Sequence, residues 1–263
     1  MRIDKIKARQ KAIYTRSQIY HELIEKCRDK EGYVYDDVLV RLITAKGGKP
    51  KLLDVGAGTG YYVSKALEFG ASPTGVDISF YACQIAKNRN QFLNISQSDA
   101  ETLPFKRDTF DIVLCLQLLE HTPYPEKVIA EIYRVLKRNG YLFLSAPNFL
   151  GSNFVTMLAR IARGKFSEEI KEIRSVSEDI VYRWSIASSA DQIRDLDACN
   201  KTNVFHAFNL LKCHSFRIVH CDTLRHPRKY TPRKYKLAQL RNKLPILKYL
   251  GPNYKIVAQK CCC

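Results

Sequence analysis

The chain has 263 residues, enough for one well-buried α/β domain with added helices and too few to demand two. Its 46% hydrophobic content excludes wholesale disorder, and no apolar run approaches the roughly 20 residues that span a bilayer. The formal net charge is +17, from 43 Lys and Arg against 26 Asp and Glu, a balance suited to polyanionic partners or to a solvated basic rim.

Met1–Lys7 carries a charge at nearly every other residue and no apolar stretch, which argues against a secretory leader and sets a cytoplasmic expectation. Residues 3–29 place Ile6, Ile13, Tyr14, Ile19, Tyr20, Leu23 and Ile24 at helical spacing among charges, predicting an amphipathic helical extension. A second helix is expected through Asp37–Thr44, ended by Gly47-Gly48. Lys51–Val55 then reads as a short buried strand that runs into a glycine cluster. Tyr61–Phe69 follows as a helix with Gly70 as its stop.

The rhythm repeats. Pro73–Asp77 is a strand, and Ser79 caps the next helix. A third strand is expected near Phe92–Ser96. Phe110–Leu116 is a continuous apolar strand, of the kind buried on both faces. Pro125 suits the first turn of a helix whose apolar positions Val128, Ile129, Ile132, Val135 and Leu136 recur at helical spacing, with Asn139-Gly140 closing it before a strand at Tyr141–Ser145. Leu150–Asn203 breaks the alternation with helical pieces (Val155–Ala162, Ser167–Ile173) and the aromatic pair Tyr182 and Trp184. A helix over Val204–Cys213 and strands at Phe216–Thr223 and Tyr254–Ala258 end the chain, the two strands forming a hairpin around a basic segment. That segment is one-sided: after Asp222 no acid occurs, while Arg225, Arg228, Lys229, Arg233, Lys234, Lys236, Arg241, Lys243 and Lys248 follow.

Strands alternating with short helices predict a Rossmann-like, doubly wound, mostly parallel sheet. The divisions read as an N-terminal helical extension (1–48), a ligand-binding core (49–149), a substrate-covering helical segment (150–203) and a C-terminal part of the sheet with the basic segment (204–263). Of the nine cysteines, none forms a C-x-x-C pair, so neither a zinc knuckle nor a redox motif is written, and the scattered ones are expected to be free and mostly buried. Cys261-Cys262-Cys263 is no prenylation box, because Lys260 stands where the acceptor cysteine belongs.

Leu53-Asp54-Val55-Gly56-Ala57-Gly58-Thr59-Gly60 lies where the first strand turns into a helix. Glycines there let the backbone turn tightly and a ligand approach, and the helix N-terminus beyond suits a carboxylate. The dinucleotide fingerprint would need glycine at 61, where Tyr61 stands, which disfavours NAD and FAD. Asp77 ends the second strand and can accept both hydroxyls of a ribose. Asp99 follows the third, where its carboxylate can accept from an adenine amino group while Ala100 flanks the ring; a plain turn role is the alternative.

These segments, with Gly75–Ser79, Asp99–Phe105, Phe110-Asp111, Leu119-Glu120-His121 and Val135–Leu142, resemble class I S-adenosylmethionine-dependent methyltransferases of the type 11 group. The match is dense over residues 50–148 and thinner at the Phe216 and Tyr254 strands, and Arg138-Asn139 replaces the usual Pro-Gly. The resemblance implies a seven-stranded sheet with an antiparallel last strand. It implies that Asp54, Gly56, Ala57, Gly58 and Gly60 hold the methionine part of S-adenosylmethionine, Asp77 and Ile78 the ribose, and Asp99 and Ala100 the adenine, with Gln117 completing the cofactor site.

The cofactor carries the activated methyl, so the protein must place a nucleophile in line with it and, for a hydroxyl acceptor, take a proton. His121 with Glu120 is the candidate acid–base pair; capping of the following helix is the plainer role. Leu118–His121 is also similar to polyprenyl catechol O-methyltransferases and small-RNA 2′-O-methyltransferases, where an E-x-x-E-H run ligates metal. Here Gln117 replaces the first glutamate, and a neutral amide is a poor ligand for a hard cation, so no metal is expected. Cys115, inside an apolar strand, is expected to stay a thiol. The leading expectation is methylation of a small-molecule or lipid-linked acceptor at oxygen, with Tyr14, Tyr182, Trp184 and His206 as candidate pocket residues. In that case the basic segment meets an anionic membrane surface or a phosphorylated substrate. The alternatives are a tRNA or rRNA methyltransferase, using the basic segment with Tyr230, Tyr235, Tyr249 and Tyr254, and a cofactor-binding module without activity.

Overall fold

Leu52 and Leu53 are neighbours in sequence, both fully buried, and they face opposite sides of one strand. The same is true of Ile112 and Val113, and of Phe143 and Leu144. Side chains alternate across a pleated strand, so a run apolar at every position needs packing on both faces. The computed structural model describes residues 35–148, 181–182, 200–223, 249 and 253–261. The expected helical extension over 3–29, the pieces at 155–162 and 167–173, Trp184 and the basic run 225–248 lie outside the described residues.

The elements are α1 (Asp36–Lys46), β1 (Lys51–Val55), α2 (Tyr61–Glu68), β2 (Ser72–Asp77), α3 (Phe80–Arg89), β3 (Ile95–Gln97), β4 (Phe110–Leu116), a 3₁₀ turn (Leu119–His121), α4 (Pro125–Val135) and β5 (Leu136–Pro147). A two-stranded ribbon, β6 (Val181–Tyr182) with β7 (Asn200–Lys201), precedes α5 (Val204–Cys213), β8 (Phe216–Asp222) and β9 (Asn253–Lys260). Seven strands form one sheet in the order β3-β2-β1-β4-β5-β9-β8. Every pairing from β3 to β5 is parallel, and β9 runs antiparallel to both β5 and β8. This is the expected doubly wound sheet with its reversed last strand. Leu39, Leu42 and Ile43 of α1 and Ala66 of α2 cover one face. Val128, Ile129 and Ile132 of α4 with Val204, Ala207 and Leu211 of α5 cover the other. Burying each such side chain contributes about 1.5–3 kcal/mol relative to exposure. Among the described residues no helix is long and apolar enough to cross a membrane.

Three expectations need correction. The third strand spans Ile95–Gln97, not Phe92–Ser96. An Asn90 side-chain turn, accepting from Phe92 N at 3.0 Å, holds the chain out of the ladder and leaves Phe92 80% exposed. Asn139-Gly140 does not close the fourth helix, which stops at Val135. The carbonyls of Arg134 and Val135 are taken by Asp108 N and Thr109 N, so β5 begins at once with a bulge over Leu136–Tyr141. The thiols are also less uniformly buried than expected: Cys83 and Cys115 are buried, Cys221 and Cys261 half-buried and Cys213 exposed.

Where β9 ends, the Lys260 ammonium reaches inward to the carbonyls of Leu136 (2.6 Å) and Tyr133 (2.8 Å), to Asp108 Oδ1 (2.7 Å), and over the Tyr133 ring. This one cation ties the last strand to the α4–β5 junction. Lys260→Met keeps the apolar stem but strands two carbonyls, and we expect it to lower unfolding stability by about 1–3 kcal/mol in urea denaturation. Asp108→Asn, at a carboxylate that is 46% exposed, should cost less than about 1 kcal/mol.

Candidate active site

β1 lies between β2 and β4, so the chain winds outward from it in both directions and a crevice opens beyond the carboxyl ends of these strands. The glycine loop occupies that edge. Gly56 N and Ala57 N both donate to Val76 O (2.8 and 2.9 Å), which folds the loop back across the tip of β2. Gly56 and Gly60 have φ of 79° and 80°, a left-handed backbone that other residues resist. Each is also crowded: a Cβ at Gly56 would lie 3.0 Å from Leu118 Cδ1, and one at Gly60 3.0 Å from Ala86 Cβ. Gly60 caps α2, whose leading N–H groups open toward the loop.

Asp77 is the link between loop and strand. Its Oδ2 accepts from Gly58 N and its Oδ1 from Ser79 N, both at 2.8 Å. Ser79 is the expected cap, its Oγ accepting from Ala82 N at 3.2 Å. Asp54 is buried in β1 beneath the loop, and Ile78 is half-buried just past Asp77, its carbonyl accepting from Gln97 Nε2. Asp99 Oδ1 accepts from Glu101 N at 3.0 Å, so the turn role holds, and Ala100 packs half-buried beside the core. The structure therefore brings the sequence-predicted acids Asp54, Asp77 and Asp99 to successive strands at one edge.

The loop carrying Asp99 is stapled by α4. Glu131 Oε2 accepts from Leu103 N (2.7 Å), and Arg134 donates to Leu103 O (2.9 Å), Phe105 O (2.6 Å) and Glu131 itself. Sequence reasoning missed both residues; the available signal was an acid and an arginine at i, i+3 on a helix otherwise read for its apolar face. The Arg134 hydrogen bond holds the Glu131 carboxyl below its ordinary range. A depressed carboxyl contributes stability above its unfolded pKa and loses it as pH falls through the folded value, so the staple holds at neutral pH and opens in acid. Arg134→Ala should speed exchange of the Leu103 amide at least tenfold at pH 7 by hydrogen-exchange mass spectrometry, with a smaller effect at pH 3.

Beyond β4 the chain turns through Gln117, a non-glycine residue at φ 54°. Gln117 N donates to Ser145 O (2.7 Å), and its Nε2 to Ser145 Oγ (3.2 Å) and Tyr35 Oη (3.4 Å). Tyr35 and Ser145 carried no sequence motif and were also missed. The 3₁₀ turn then presents His121, whose side chain is 20% exposed, with Nε2 3.8 Å from Glu120 Oε1. That separation is an ion-pair contact longer than a hydrogen bond. Glu120 itself is buried. Burial, with Glu120 and Asp54 adding to it, pushes the Cys115 thiol well above its usual range, consistent with an inert core residue. Burial likewise raises the Tyr254 phenol, with Glu120 the next contributor. His206 lies half-buried in the first turn of α5, Tyr182 is in the β6–β7 ribbon, and Tyr14 and Trp184 fall outside the described residues.

Sheet order, glycine loop and successive strand-end acids define a doubly wound α/β domain with a crevice at its carboxyl edge. Residues 53–144 match the family model described as the methyltransferase domain. A ubiquinone biosynthesis O-methyltransferase of Coxiella burnetii is 38% identical over 128 residues, 47% of this chain and 53% of that protein. One from Photobacterium profundum is 34% identical over 106 residues, 37% and 44% of the respective chains. The chain thus spans about half the length of the curated relatives it matches. An S-adenosylmethionine-dependent methyltransferase from Mesorhizobium loti superposes with a TM-score of 0.58 at 17% identity, over 87% of this chain and 98% of that one, a likeness of fold.

Proposed function

We propose that this protein binds S-adenosylmethionine in the crevice at the carboxyl edge of β1–β3 and transfers a methyl group to an oxygen of a small-molecule or lipid-linked acceptor. The observation that carries the reading is the glycine loop folded onto the tip of β2, with Gly56 N and Ala57 N on Val76 O and Gly58 N on the Asp77 carboxylate. The name of the Coxiella and Photobacterium relatives supports an oxygen acceptor.

The residues fit the cofactor. Gly56, Ala57, Gly58 and Gly60 form a tight turn in which a Cβ at Gly56 or Gly60 would press on Leu118 or Ala86, and the positive end of α2 suits a carboxylate there. Asp77, with Ile78 beside it, accepts the two ribose hydroxyls; Asp99 and Ala100 hold the base on the loop stapled by α4, and Asp54 supports the loop from below. Bound S-adenosylmethionine supplies a methyl already activated on sulfonium. The chain's own task is to orient the acceptor, exclude water and manage one proton. The imidazole of His121 takes the acceptor's hydroxyl proton, and the buried Glu120 carboxylate, 3.8 Å from Nε2, stabilises the resulting cation.

Two substitutions separate binding from chemistry. Asp77→Ala should weaken S-adenosylmethionine at least about tenfold in calorimetry, since it removes acceptors worth about 1.5–3 kcal/mol each and frees the loop. His121→Ala should leave that affinity within twofold and lower methyl transfer roughly 10²–10⁴-fold. Unchanged turnover in the second variant would remove His121 from the proton path.

A further inference from the structure

The geometry points to Gln117, expected from the sequence on the cofactor side, as the residue that instead recognises the methyl acceptor, with Tyr35 and Ser145 as positioning residues that aim its amide. The inference rests on the methyltransferase reading above and deepens it at the acceptor side.

Gln117 is exposed, but its partners are not: Tyr35 is 8% exposed and Ser145 fully buried. Their hydroxyls lie 2.8 Å apart and both receive the Gln117 Nε2 group. Tyr35 is itself fixed, with its ring edge-on to Phe143 at 5.4 Å and tilted against Tyr62 at 6.0 Å. Two buried hydroxyls from distant parts of the chain, 110 residues apart, thus converge on one surface amide. The backbone beneath that amide is held in the left-handed region by Gln117 N donating to Ser145 O. Strained backbone at a strand tip persists where surrounding structure over-determines it, and such tips gather at binding sites.

With Nε2 committed inward, Oε1 turns outward, and among the described residues nothing donates to it. An amide carbonyl only accepts, so it fits a ligand bearing O–H or N–H. Its place suits the acceptor: Leu118, the next residue, packs on Gly56 of the cofactor loop, and His121 stands four residues on. A ligand on the β1–β3 tips leaves the β4–β5 tips as the acceptor's side of the crevice. Being neutral, Gln117 orients a hydroxyl without ionising it and leaves proton removal to His121.

The test uses the full chain saturated with S-adenosylmethionine, with catechol and a long-chain alkylcatechol as acceptor probes. Gln117→Leu should raise the KM for the probe about tenfold or more, while cofactor affinity and thermal midpoint hold. Tyr35→Phe should raise KM about threefold in the wild-type background and add nothing to Gln117→Leu, because it acts through that side chain. A purely structural Tyr35 would cost the same in both backgrounds. Either that additivity or an unmoved KM in Gln117→Leu, in an active enzyme, overturns the assignment alone. A wild type that binds cofactor and methylates neither probe overturns the O-methylation reading and this inference with it.

Discussion

The carboxylate of Asp77 accepts one amide from the glycine loop and one from the turn into α3, and most of the site's geometry follows from that clasp. Loop, strand tip and next helix are three separate pieces of chain, each with unsatisfied N–H groups at the edge of a parallel sheet. An acid at the end of β2 satisfies two at once and brings its negative charge to the carboxyl edge of the sheet. Charge-assisted bonds of this kind are about twice as strong as neutral ones, which suits them to holding a loop built of glycines. The loop reciprocates through Gly56 N and Ala57 N on the Val76 carbonyl.

The two ends of the sheet are finished differently. At the carboxyl edge stand polar groups of three kinds: the Asp77 carboxylate, the Gln117 amide and the imidazole of His121. At the opposite edge they are consumed, by Lys260 on the α4–β5 junction and by Lys137 on Asp111. Helix α4 serves both. Its apolar face completes the core, while Glu131 and Arg134 hold the Asp99 loop in place from the outside. The rigidity of the site is therefore borrowed from the same helix that stabilises the fold.

The chemistry beyond β4 is separated by burial. Cys115 and Glu120 lie in the interior, where the thiol is held protonated. His121 and Gln117 reach the surface of the crevice, one able to take a proton and the other only to accept a hydrogen bond. A neutral amide at the strand tip keeps the mouth free of a second negative charge beside Glu120.

Much of this was legible in the amino-acid sequence. The apolar runs at 52–55 and 110–116 specify strands buried on both faces, the glycine spacing specifies a tight strand-to-helix turn, and the positions of Asp54, Asp77 and Asp99 place three acids at one sheet edge. These are local properties, set by side-chain period and backbone freedom. What only tertiary structure decided depends on groups far apart in the chain. Helix α4 ends at Val135 because amides from residues 108 and 109 take its last carbonyls, where Asn139-Gly140 had marked a later stop. The Asn90 turn moves the start of β3 by three residues. The Arg134 staple, the Lys260 tie and the Tyr35–Ser145–Gln117 cluster join segments about 30 to 150 residues apart. No periodicity or motif records such pairings, because a hydrogen bond is chosen by which donor the finished fold brings within about 3 Å.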